Sequence, residues 1–197
     1  MKPLPIYTVG HSNRTLEAFV ELLRAGDVQL VIDIRTVPRS RHNPQFNADV
    51  IEQALRPCGI GYARIDSLGG LRGKSKTVPP EVNAFWTNAS FHNYADYALS
   101  PEFHAGLERL LALAAEQRAA IMCAEAVWWR CHRRIVADYL LLAGRDVFHL
   151  MGEHRVERAR PSEAAVQASD GVHYAARLAS AARSDAALAS GSSLRRP

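Results

Sequence analysis

Two cysteines and their neighbours form the densest group of reactive side chains in the sequence. Cys123, Glu125, Cys131, His132 and Arg133 follow one another in a Cys-x-Glu-x5-Cys-His-Arg pattern. A thiol beside arginine and histidine, at the start of a predicted helix, is favoured as the thiolate, which is the nucleophilic and metal-binding form of cysteine. The pattern therefore predicts catalytic roles for Cys123, Glu125, Cys131 and His132. Alternatively, Cys123 could be a small, buried, unreactive residue of the core.

A second reactive group, Gly10-His11-Ser12, ends the first apolar run of the chain. Imidazole can transfer protons near neutral pH, so His11 is predicted to be catalytic. Backbone N–H groups before the next helix could bind an anion, which makes Ser12 a predicted substrate contact. Ser12 and Asn13 could instead serve only to cap that helix.

Asp33 and Arg35 lie at the end of the most apolar stretch, residues 28–34. A buried carboxylate needs a partner, so Asp33 is predicted to orient Arg35, which would clamp an anion together with Arg133. A glycine-rich basic loop around residues 69–70 could close over the same ligand, although a plain surface loop fits its composition equally well. The residues predicted to contact the substrate are Ser12, Asp33, Arg35, Ser40, Gly69, Gly70 and Arg133.

The same residues allow a metal site. Cys123, Cys131 and His132 could meet His11 in space and offer four soft ligands, which suit a zinc or iron ion. The Cys-x7-Cys-His spacing is not that of a zinc finger, and the sequence requires no cofactor.

The elements that must position these residues alternate between strand and helix. Short apolar, β-rich runs predict five strands at residues 6–10, 28–34, 62–65, 119–123 and 147–151. This alternation predicts an α/β fold: a single three-layer domain, residues 1–155, with a mainly parallel sheet of about five strands and helices on both faces. The carboxyl ends of parallel strands share one edge, so the reactive groups should meet there. Residues 156–197, rich in Ala, Ser and Arg, are predicted to be a weakly helical or disordered tail.

Composition narrows the class of protein. The chain has 197 residues, three cysteines and a formal net charge of +4. Sparse cysteines argue against a disulfide scaffold and for a reducing compartment, and no apolar run reaches the ~18 residues of a membrane span. We therefore expect a cytoplasmic protein without a membrane partner. The charge permits an anionic small molecule or a nucleic acid as partner, and the oligomeric state is not indicated.

Four ordered motifs resemble one family. The chain is similar to the bacterial and archaeal domain of unknown function numbered four-eight-eight, over about residues 6–152. The motifs are Gly10-His11-Ser12, Asp33-x-Arg35 with Pro38 and Ser40, Leu68-Gly69-Gly70, and Cys123-x-Glu125 with Cys131-His132-Arg133. The resemblance implies an α/β fold and a site made of these motifs, but no established reaction. A fainter similarity to rhodanese-type folds makes a sulfurtransferase a less favoured reading.

Three functions remain open on this basis. The first is an enzyme that acts on a phosphate-bearing substrate, a nucleotide or nucleic acid, through a Cys/His/Arg/Glu site at the strand ends. The second is a metal-binding or redox module that uses the cysteines and histidines. The third is a non-catalytic nucleic-acid-binding domain, which would bind with a steep salt dependence.

Overall fold

The computed structural model describes residues 2–152 and 155–176. Six strands form the central sheet: β1 (Ile6–Gly10), β2 (Leu30–Asp33), β3 (Gly61–Arg64), β4 (Ala119–Cys123), β5 (Val147–Gly152) and β6 (Arg155–Arg158). Their spatial order is β3-β2-β4-β1-β5-β6. The first five are parallel, and β6 is antiparallel to β5. The predicted α/β class with a mainly parallel sheet is confirmed.

Five α-helices cover the sheet: α1 (Leu16–Arg24), α2 (Ala48–Leu55), α3 (Ala89–Tyr97), α4 (Pro101–Glu116) and α5 (Arg133–Leu142). On one face, Phe19 of α1 and Ile51 of α2 pack with Val31 of the sheet. On the other face, Phe103 of α4 and Ile135 of α5 pack with apolar residues that include Ile32 and Ile121. Successive strand residues point to opposite faces, so β2 and β4 are buried on both sides.

Local capping starts the helices where the sequence allows it. The Thr15 hydroxyl accepts a hydrogen bond from the Ala18 N–H at the start of α1, and the Ser100 hydroxyl accepts one from Phe103 N–H before α4. Each bond satisfies a backbone donor that the first helical turn leaves unpaired. The two capping residues therefore define where these helices begin.

The order of the strands creates a crevice. β4 lies between β1 and β2, although it follows β3 along the chain. The connection from β1 to β2 crosses one face of the sheet, and the connection from β4 to β5 crosses the other face. Ligands of open parallel sheets bind beyond the carboxyl ends of the strands where connections diverge in this way. The register sets Gly10 opposite Cys123 and Asp33 opposite Met122, so the segments that follow these strands lie at one edge.

The structure differs from the predicted tail over residues 156–176. Beyond β6, Val166–Ala168 (β7) and Gly171–His173 (β8) form an antiparallel hairpin, and Val172 and Tyr174 are fully buried in the core. The Tyr174 hydroxyl donates a hydrogen bond to buried Asp138 of α5. Strands of three or four residues with few apolar side chains leave too little periodicity to detect. Residues 177–197 of the predicted tail lie outside the described residues.

Within the part of the chain that the structure describes, no helix has the length and apolar character needed to cross a membrane.

Candidate functional site

Cys123, Cys131 and His132 form one cluster, called here the thiol–imidazole cluster. Cys123 ends β4, and Cys131 and His132 lie between a short 3-10 helix, Trp128–Arg130, and α5. The Nδ1 atom of His132 lies 3.9 Å from Cys123 Sγ and 3.7 Å from Cys131 Sγ. All three atoms lie within 4.8 Å of one another. The structure therefore brings together three of the four residues that the sequence proposes as metal ligands.

A backbone contact sets the orientation of the His132 ring. Its Nε2 atom lies 3.2 Å from the carbonyl oxygen of Ile34. Because a carbonyl oxygen only accepts hydrogen bonds, Nε2 carries a proton, and the ring turns Nδ1 toward the two sulfurs. A Cβ atom built on Gly70 would lie 2.9 Å from Nδ1, so only glycine leaves this side of the ring open.

Arg133 contacts the cluster from inside the protein. Its side chain is buried, its Nε donates a hydrogen bond to Cys131 Sγ at 3.2 Å, and its Nη2 donates to the carbonyl oxygen of Glu125. The predicted role of Arg133 as a substrate clamp finds no support in this position, because its guanidinium contacts a thiol and does not line the cleft. Its charge acts on Cys131.

The pKa values of the two thiols are shifted in opposite directions. The hydrogen bond that Cys123 donates to Cys131, together with burial, raises the pKa of Cys123 well above its ordinary value. Burial acts to raise the pKa of Cys131 as well, but the hydrogen bond from Cys123 and the charge of Arg133 outweigh it and lower that pKa well below its ordinary value. These contacts therefore favour the thiolate form at Cys131 over Cys123.

Asp33, Arg35 and His11 form a second, separate group beside the cluster. Arg35 donates from Nε to Asp33 Oδ1 at 2.9 Å and from Nη2 to Asp33 Oδ2 at 2.6 Å, as predicted for a carboxylate that orients an arginine. Its Nη1 lies 3.1 Å from His11 Nε2, and the other His11 nitrogen contacts the carbonyl oxygen of Ser12. Asp33 is fully buried and positions Arg35, and its contact with a substrate stays a prediction.

These contacts keep His11 apart from the thiol–imidazole cluster. Burial, followed by the nearby charge of Arg35, lowers the pKa of His11 to about 4, so the ring is neutral at pH 7. Both of its nitrogens are engaged, one by Arg35 and one by Ser12. The structure therefore does not place His11, the fourth predicted metal ligand, with the other three.

Two of the backbone N–H groups after β1, where the sequence suggests an anion site, are engaged in the sheet. The N–H of His11 donates to the Cys123 carbonyl and the N–H of Ser12 donates to the Ala124 carbonyl, which extends the pairing of β1 with β4. Ser12 therefore has no free backbone donor for an anion. A Cβ on Gly10 would lie 1.8 Å from the carbonyl oxygen of Glu125, so glycine permits this close pairing.

Ser40 shapes its own loop. Its N–H donates to the side-chain oxygen of Asn47, and its hydroxyl accepts from the N–H of Asn43. Asn47 is thereby used to hold this loop and not to cap α2. Ser40 does not line the cleft described next, and its contact with a substrate stays a prediction.

A cleft of about 380 Å³ opens over the thiol–imidazole cluster. Besides the cluster it exposes Glu125 and Arg130, and among the described residues neither of these two side chains has an ion-pair or hydrogen-bond partner. The lining residues are Arg35, Thr36, Val37, Gly70, Leu71, Ser90, Phe91, Tyr94, Cys123, Ala124, Glu125, Arg130, Cys131 and His132. Gly69 lies beside this wall, where a Cβ atom would meet Thr36 Oγ1 at 2.6 Å.

Several of these lining residues are absent from the sequence prediction. Arg130 directly precedes Cys131, so its position beside the thiol could have identified it as a site residue. Phe91 and Tyr94 lie on α3, far from every motif in the chain, and only tertiary packing brings them to the cleft. The Tyr94 hydroxyl donates to the Leu68 carbonyl, which ties α3 to the glycine-rich loop.

One protein-family model matches this chain. The family model described as Domain of unknown function DUF488 matches residues 15–140. The chain belongs to the DUF488 family. The match includes three of the four motifs that suggested the resemblance, and Gly10-His11-Ser12 precedes it. Comparisons with curated proteins and with solved structures found no match. The DUF488 description specifies no reaction, so an activity can only be inferred from the geometry of the cleft.

Proposed function

We propose that the protein is an enzyme that acts on a phosphate-bearing substrate in the cleft over the thiol–imidazole cluster. The proposal rests on one observation: the unpaired cation Arg130 and the cluster line the same cleft at the carboxyl edge of the sheet. An unpaired arginine at a concave site favours an anion, and a thiolate with an adjacent imidazole supplies a reactive or ligand group.

Each side chain has a role that fits its position. Arg130 would bind the anionic group of the substrate through charge-assisted hydrogen bonds. Glu125, which is exposed on the cleft, would transfer protons. Phe91 packs against Trp86 with ring centroids 5.0 Å apart and lines the cleft, which fits the base of a nucleotide. The nucleotide is therefore the favoured member of the substrate class.

Binding of anions by matched arginine variants tests the proposal. Calorimetric titrations would use inorganic phosphate and AMP against the wild type, Arg130→Ala and Arg24→Ala. Arg24 is an exposed arginine of α1, paired with Glu21 away from the cleft. We expect Arg130→Ala to weaken binding about tenfold or more, which is about 1.4 kcal/mol, and Arg24→Ala to leave it unchanged. Equal affinities in the two variants, or no binding of either anion, would refute the proposal.

The alternative of a non-catalytic nucleic-acid-binding domain depends on two basic loops. The loops after β2 and β3 carry Arg39, Arg41, Lys74 and Lys76 on the surface, with no acidic residue at positions 35–48 or 67–80. That role predicts oligonucleotide binding that weakens steeply with salt and is indifferent to Arg130. Such a result would favour the binding domain over the enzyme.

A further inference from the structure

We propose that Cys123, Cys131 and His132 bind a zinc ion, with a fourth coordination position open to the cleft. This deepens the proposed function by assigning a cofactor to the same site. It is nevertheless tested separately, because metal content is measured without any substrate.

The spacing of the three donor atoms fits a tetrahedral ion. Zinc binds sulfur at about 2.3 Å and imidazole nitrogen at about 2.0 Å, so an S···N edge of the tetrahedron measures roughly 3.5 Å. The two S···N distances in the cluster are 3.7 and 3.9 Å. The two sulfurs also lie within 4.8 Å of each other. Two thiolates with one imidazole are ligands that suit zinc better than they suit harder cations.

The three donor atoms converge on one point. Two sulfurs lie within 4 Å of the single imidazole nitrogen that faces them, and all three atoms lie within 4.8 Å of one another. A metal ion between the three atoms would bind all of them, which gives a physical reason for their convergence.

Two of the three ligands also have the outer contacts that metal ligands need. The Ile34 carbonyl accepts from the Nε2–H of His132, which orients the ring and aims Nδ1 at the sulfurs. Arg133 donates to Cys131 Sγ and places a positive charge beside the thiolates. At known metal sites, contacts of this kind orient the residues that bind the metal directly and tune their basicity.

The open side of the cluster indicates a catalytic rather than a structural ion. Within residues 2–152 and 155–176, no further His, Cys, Asp or Glu joins the three ligands. All three line the cleft, and Gly70 leaves the space beside Nδ1 free. Three protein ligands with an open fourth position are typical of catalytic zinc, whereas structural sites are closed by four.

Metal analysis of the full chain tests this assignment. The protein would be purified without chelator, and its zinc and iron measured by plasma mass spectrometry. Cobalt would then be titrated into stripped protein while the thiolate-to-cobalt charge-transfer band is followed. The variants are Cys131→Ser and His132→Gln, with Cys58→Ser, the exposed third cysteine, as the control. Circular dichroism would report whether each variant folds.

We expect about one equivalent of zinc in the wild type and in Cys58→Ser, and at least tenfold weaker cobalt binding in folded Cys131→Ser or His132→Gln. If both variants fail to fold, rapid alkylation of Cys123 and Cys131 in zinc-exposed wild type would overturn the proposal, and protection by zinc would support it. Folded protein without metal, bound iron in place of zinc, or undiminished cobalt binding by the variants would also overturn it. Anion binding that depends on Arg130 in metal-free protein would leave the proposed function standing.

Discussion

Gly70 controls access to the imidazole of the thiol–imidazole cluster. An added Cβ would lie 2.9 Å from His132 Nδ1, which is closer than real contacts of this kind. Gly70→Ala should therefore displace His132 and weaken cobalt binding by the cluster about tenfold, at little cost in stability. Titration of stripped protein measures this. Gly73→Ala, in the same loop with no atom within 4 Å of the added Cβ, should bind as the wild type does. Equal affinities in the two variants would show that Gly70 does not limit access.

Asp33 and Arg35 form an ion pair that is nearly inaccessible to solvent. Removal of one partner leaves an uncompensated buried charge, which costs about 3–5 kcal/mol. Asp33→Asn should therefore lower the free energy of unfolding by about that amount in urea denaturation. Asp27→Asn is the matched control, because Asp27 pairs with Arg118 but is 81% exposed, and exposed pairs contribute about 0–1 kcal/mol. A loss below 1 kcal/mol for Asp33→Asn would contradict this interpretation.

At the scale of single residues, some contacts of the site were predictable from the sequence and others were not. Residue type and burial were sufficient to predict that Asp33 orients Arg35, because a buried carboxylate has few alternatives. The direction of Arg133 was not predictable, since either a substrate or a thiol can receive a guanidinium. The hydrogen bond of Ser12 was not predictable for a similar reason: its backbone N–H donates to the Ala124 carbonyl, a contact between segments over a hundred residues apart.

At the scale of elements, the β7–β8 hairpin and the segment around it complete the core. Tyr174, just beyond β8, is fully buried and donates from its hydroxyl to Asp138 at 3.0 Å. The hairpin thereby helps to hold α5, whose first residue is Arg133. Loss of this contact is expected to loosen the helix that begins directly beside the cluster.

Tyr174→Phe tests the contribution of the hairpin. The substitution keeps the ring but removes a donor from buried Asp138, which costs about 1–3 kcal/mol. Chemical denaturation should show this loss. His173→Ala removes a partly exposed partner of Asp170 in the same segment and should cost less than about 1 kcal/mol. If the two substitutions cost the same, the buried hydrogen bond is not what anchors the segment.

The elements were predictable where their sequence signal was long. β1 and β4 have the predicted bounds, because each is a five-residue apolar run between polar segments. β6, β7 and β8 were missed because they have only three or four residues each. The position of β4 between β1 and β2 was also beyond reach, since strand order depends on packing and not on local pattern.

At the scale of the whole molecule, two buried histidines couple stability to pH. Burial is the main cause that lowers the pKa of both His11 and His149 to about 4. His149 is held by Thr8 and stacks on Trp128 with ring centroids 4.4 Å apart. Above pH 6.5 both histidines are neutral in the folded and unfolded states. Between 6.5 and about 4 only the unfolded chain binds the protons, so stability must fall as the pH falls.

Denaturation curves at several pH values measure this coupling. Between pH 6.5 and pH 5, each histidine should remove roughly 2 kcal/mol from the free energy of unfolding. His149→Gln should lose about half of this pH dependence, because only His11 then contributes. A wild type and variant with the same pH dependence would rule out a depressed pKa at His149.

The central claim is that the cleft over Cys123, Cys131 and His132 is the functional site of the molecule. Anomalous diffraction at the zinc edge, from crystals grown with zinc and phosphate, tests it most directly. We predict a zinc peak bonded to the three side chains and a phosphate in the cleft in contact with Arg130. A cluster without a zinc peak, together with ordered phosphate only outside the cleft, would contradict the account.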